Sequence, residues 1–165
     1  MAIELSKKAW FEYAEHDVIE LLKQSILLEE KVEHWDTKFH DYSFLVFPAS
    51  KAYEGFLKKV FLDIGIISER EYLHKHFRIG SALNPVLGRR KRKKDNVYDK
   101  LADYCGGEQL SKYLWQTWKN CRNMLFHWFP DERNAVGLTE ARDCIKQIID
   151  SFDLLFTECR IDYAK

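Results

Sequence analysis

Arg122 and His127 stand five residues apart in the stretch Lys119-Asn-Cys-Arg122-Asn123-Met-Leu-Phe-His127-Trp-Phe-Pro130. A histidine can take up and return a proton near neutral pH. An arginine can grip a phosphate through two parallel N–H bonds. Asn123 adds an amide that both donates and accepts. No cluster of metal-ligating side chains accompanies them. The set therefore suits phosphodiester cleavage by acid/base chemistry, with no metal and no cofactor expected. Were that phosphodiester one of RNA, one group would take the proton of the 2′-hydroxyl and another would protonate the leaving 5′-oxygen.

The apolar pattern predicts one helix from about Glu108 to Phe129. On a wheel of ~100° per residue, Leu110, Tyr113, Leu114, Thr117, Trp118, Cys121, Met124, Leu125 and Trp128 share the core face. The opposite arc carries Lys112, Gln116, Lys119, Asn120, Asn123 and His127, with Arg122 at its edge. Arg122 and His127 then differ by roughly 140°, so they reach one phosphate only if the helix end is distorted or a second chain faces them. Phe129 before Pro130 makes distortion plausible. Trp115 and Phe126 fall on the polar side. A dimer seam explains them more simply than base stacking. Lys119, one turn from Asn123, is a weaker phosphate contact.

The elements that must position these groups read as helices throughout. Residues 6–34 carry Trp10, Phe11, Ala14, Val18, Leu21, Leu22 and Leu28 at helical spacing, with Ser6 as a cap. Asp36 can cap a second helix that passes Pro48 with a kink and continues to Gly65. Glu54 lies in that run; locally it is a solvated carboxylate placed to pair with Lys58 at i+4. Ser68 and Glu71 form a capping box for a helix to Phe77. Asp95–Tyr104 is a helix stopped by Gly106-Gly107, and Thr139 caps a last helix running to about Arg160. No strand alternation and no internal repeat appear. The expectation is a single all-α domain over residues 1–165, a bundle of four main helices plus shorter ones.

Between the helices, residues 88–95 read Gly-Arg89-Arg90-Lys91-Arg92-Lys93-Lys94-Asp. Most charge runs are solvated loops. This one concentrates cations in a chain that is otherwise net acidic, so a phosphate-binding arm for RNA stands beside that reading. Such an arm adds affinity with little sequence preference. Across the chain Lys+Arg and Asp+Glu number 26 each, so net charge identifies no partner. Cysteines 105, 121, 144 and 159 show no zinc spacing and read as buried free thiols. No apolar signal region and no membrane span is visible, which predicts a soluble, cytoplasmic protein.

Arg122-Asn123-Met-Leu-Phe-His127 resembles the R-x4–6-H signature of the HEPN superfamily of ribonucleases, in which the motif sits on a late helix of an all-α bundle with a polar residue after the Arg. Lys51-Ala-Tyr-Glu54-Gly-Phe-Leu-Lys-Lys59 is similar to the acidic helix of RNase LS-type toxin catalytic domains, where a Glu acts with the Arg and His. The resemblance implies a HEPN-like, dimeric, metal-independent endoribonuclease with toxin or antiviral function and a neutralising antitoxin partner. It moves Glu54 into the site with Arg122, His127 and Asn123. Glu54 would orient Arg122 or His127, or transfer the second proton. Asn123 would orient the phosphate or His127. The alternative is a non-catalytic HEPN-like module that binds RNA or protein.

Overall fold

The structure, a computed structural model, describes residues 4–87, 96–132 and 134–161. The basic run Arg89–Lys94 lies outside them. The described residues are helical with no strand: α1 (His16–Val32), α2 (Ser43–Asp63), α3 (Glu69–Leu73), α4 (Ile79–Ala82), α5 (Val97–Tyr104), α6 (Glu108–Trp118) and α7 (Leu138–Glu158). Single turns of 3-10 type occupy Leu5–Lys7 and Pro130–Glu132, and a π-turn occupies Lys119–Asn123. The all-α expectation holds. No described helix is long and apolar enough to cross a membrane.

α2 packs against α1, α7 and the π-turn, so it runs through the middle of the assembly. Phe56 of α2 stacks on Phe152 of α7 with ring centroids 3.9 Å apart, and Trp10 meets Phe152 edge-on at 5.1 Å. Full burial of such side chains contributes about 1.5–3 kcal/mol each. Pro48 is buried inside α2, and the helix continues through it, as the periodicity predicted.

Several boundaries differ from the sequence reading. Residues 4–14 are not the start of a long helix. They fold as turns, and α1 begins only at His16. Asp153 of α7 accepts from Trp10 Nε1 at 2.8 Å and from Lys8 Nζ at 2.6 Å, and these tertiary bonds override local helix propensity. α2 starts at Ser43 rather than after Asp36, where Asp41 Oδ1 accepts from the Ser43 N–H at 2.7 Å. The Ser68/Glu71 capping box is present, but its helix ends at Leu73. Asn96 caps α5, accepting from the Asp99 N–H at 2.7 Å. α5 stops where Gly106 takes φ +77°, a backbone that favours glycine. α7 begins after Gly137, whose N–H donates to Glu140, so Thr139 sits inside the first turn.

The cysteine reading is corrected as well. Cys105 and Cys159 form a disulfide, because the end of α5 and the end of α7 bring their Cα atoms to 4.7 Å. Cys121 and Cys144 are free thiols.

Candidate functional site

The chain leaves regular α-helix one turn before Arg122. α6 ends at Trp118, and the Met124 N–H bonds back to the Lys119 carbonyl at 3.0 Å, an i→i+5 closure. Such π-turns insert one extra residue and recur at functional sites. The predicted continuous helix to Phe129 is therefore wrong beyond Trp118. After the π-turn the chain runs in turns and irregular backbone rather than helix, and Trp128, placed in the core by the wheel, is 78% exposed.

α2 holds this irregular turn through three polar side chains on one face. Ser50, Tyr53 and Glu54 lie at i, i+3 and i+4, so they point the same way. The buried Ser50 hydroxyl reaches the Cys121 carbonyl at 2.7 Å. The fully buried Tyr53 hydroxyl donates to the Leu114 carbonyl at 2.7 Å. Burial pushes the Tyr53 phenol well above its usual range, so it stays a neutral donor. Glu54 Oε1 accepts from Arg122 Nε at 2.8 Å. α7 steadies the other side, where Gln147 Nε2 donates to Thr117 Oγ1 at 3.0 Å.

Glu54, Arg122 and Asn123 line one cleft of about 500 Å³, together with Arg78, Ser81, Asn84, Trp115 and Trp118. Glu54 does not pair with Lys58, which instead lies over the Phe77 ring at 5.5 Å. Arg122 and Glu54 keep 39% and 36% of their side-chain surface exposed, so the ion pair is reachable from solvent.

His127 lies elsewhere. It is exposed and lines a second cleft of about 320 Å³ with His40, Asp41, Ser43, Trp128 and Asn134. Asn134 Nδ2 donates to the His127 and Met124 carbonyls, pinning the turns after the π-turn. Within one chain, Glu54, Arg122 and Asn123 thus line one cleft and His127 lines the other. Lys119 is exposed and outside both clefts.

Sequence reasoning did not single out Ser50, Tyr53, Arg78 or His40 for the site. Ser50 and Tyr53 carried one signal, since they precede Glu54 on its own helix face. Arg78 and His40 carried none, because loops and short helices bring them in. Among the described residues no group of three or more His, Cys, Asp or Glu side chains could hold a metal ion.

Comparison of the chain with protein-family models, curated proteins and solved structures finds no match.

Proposed function

We propose that the protein is a metal-independent endoribonuclease of HEPN type, acting as a toxin in a toxin–antitoxin or antiviral system. The observation that carries this reading is the 2.8 Å contact between Glu54 and Arg122 in an open cleft. Two residues picked for the resemblance of their separate motifs meet across 68 positions of sequence. The contact engages Nε of a guanidinium that has five N–H donors in a planar fork. The terminal nitrogens then face an RNA phosphate.

In the reaction, the 2′-oxygen attacks the adjacent phosphorus as its proton passes to a base. The bond to the 5′-oxygen breaks as that oxygen receives a proton from an acid. The products carry a 2′,3′-cyclic phosphate and a free 5′-hydroxyl. Arg122 stabilises charge gathering on the phosphoryl oxygens. Glu54 fixes the guanidinium plane, and Asn123, beside it, orients the phosphate. His127 transfers protons. His127 lines a different cleft from Arg122, and a symmetric homodimer brings the His127 of one copy to face the Arg122 of the other. Exposed Phe47, Met124 and Trp128 near the two clefts supply apolar surface for that seam.

A second reading has an observation in its favour. The placement of His127 and Arg122 in different clefts also fits a module that binds RNA or protein without cleaving it. Substitution kinetics decide between the two. His127→Ala lowers turnover by ~10²–10⁴, and Arg122→Ala by ~10²–10³, while RNA affinity is nearly kept. Neutralising Arg89–Lys94 instead weakens RNA binding and flattens its salt dependence, with turnover at saturation unchanged. RNA binding without cleavage by the wild type favours the binding module, and wild-type turnover in His127→Ala removes His127 from the catalytic set.

A further inference from the structure

Trp118 is clamped. A Cβ built on Gly80 would stand directly over Cζ2 of the Trp118 ring, equally far from Cε2 and Cη2, which is the geometry of an atom above the ring face. Only glycine at position 80 lets the α4 backbone lie flat on the indole. Trp115 stacks on Trp118, with centroids 5.2 Å apart and planes within 14°. Gly80 and Trp115 thus both pack on the Trp118 ring. Trp115 keeps part of its surface exposed. Trp118 Nε1 is a buried donor without a hydrogen-bond partner. All three residues line the Glu54–Arg122 cleft, with Arg78, Ser81, Asn84 and Asn123 around them.

We propose that this cleft is a nucleotide subsite for single-stranded RNA, in which one base stacks on the part of Trp115 that the cleft leaves open and Arg78 takes a neighbouring phosphate. The inference rests on the ribonuclease reading and names how the substrate is held beside Arg122. An aromatic face beside cations is what single-stranded nucleic acid requires, because every base offers a π-face and every nucleotide a charge. The cavity is the size of a small-ligand site. A rigid platform loses little freedom on binding, and Gly80 and Trp118 make this one rigid. Ser81, Asn84 and Asn123 offer donors and acceptors to a base edge. Trp115 thus works as a platform inside one chain, and the dimer seam expected of it from the wheel is not needed to explain it.

The test uses a short fluorescent single-stranded RNA of mixed sequence, 2′-O-methylated to prevent cleavage, and its abasic counterpart. Wild-type protein binds the base-containing strand more tightly than the abasic one. Trp115→Ala weakens binding of the former by roughly 5- to 100-fold and leaves the latter unchanged. Trp115→Phe keeps most of the affinity. Arg78→Gln weakens both strands alike and lowers the salt slope by about one. Equal binding of the two strands by the wild type, or wild-type affinity in Trp115→Ala, overturns the proposal. If Trp115→Ala does not fold, Trp115→Phe and the two strands on the wild type decide. Should the wild type cleave RNA yet ignore the base, the subsite alone falls. Should it neither bind nor cleave RNA, the ribonuclease reading falls with it.

Discussion

The Ser50 hydroxyl reaches the Cys121 carbonyl across 2.7 Å, linking the middle of α2 to the π-turn 71 residues later. Ser50 is 3% exposed, so water does not substitute for the contact. An unpartnered buried carbonyl costs about 1–3 kcal/mol. This bond therefore helps set the turn geometry that carries Arg122 to Glu54. Ser50→Ala should lower stability by about that amount and the melting temperature by roughly 2–4 °C per kcal/mol. It should also reduce RNA cleavage, although Ser50 touches no substrate. Calorimetry and cleavage rates on the same preparation check both; unchanged values in each would remove Ser50 from the account.

Glu54 is expected to behave differently. It and Arg122 are both more than a third exposed, so their ion pair adds only ~0–1 kcal/mol to stability. Glu54→Gln should leave the melting temperature nearly unchanged and slow cleavage about 10²-fold, the cost of a misplaced catalytic group. Adding Arg122→Ala should bring little further loss, since the two act as a unit. Additive losses in that double-substitution cycle would show that Glu54 does not work through Arg122.

The disulfide between Cys105 and Cys159 closes a sequence separation of 54 residues. By the chain-entropy account such a crosslink stabilises by about 4 kcal/mol. Cys159→Ser should melt well below the wild type without reductant, and the two should converge when reductant is present. Identical melting without reductant would show that the pair is not bonded in solution.

Much of the fold was legible in residue spacing. The apolar stripes located α1, α2, α6 and α7, and the Ser68/Glu71 box and the Gly106-Gly107 stop stood where local chemistry put them. The misread segments were those decided by distant partners. Trp10 lies on a helical stripe, yet Asp153, 143 residues away, holds it in a turn. The π-turn is invisible to a wheel of fixed pitch, because Ser50 and Tyr53 of another helix help fix it. The wheel placed Trp128 in the core because it assumed helix to Phe129, whereas the chain has left helix by that point. The cysteine pair was hidden for the same reason, since only the packed bundle brings the ends of α5 and α7 together. In the site, Glu54 and Arg122 were each legible as types with a use. Their meeting was not, because sequence spacing holds no information about contacts between helices.

The central claim is cleavage of RNA by side chains alone, with the 2′-hydroxyl as nucleophile. Purified protein incubated with single-stranded RNA in excess chelator tests it most directly, with the ends of the fragments identified. The account predicts sustained cleavage, fragments ending in 2′,3′-cyclic phosphate and 5′-hydroxyl, and loss of that activity by ~10²–10⁴ in His127→Ala. Intact RNA in chelator, with cleavage appearing only on addition of Mg²⁺ or Mn²⁺, would contradict it.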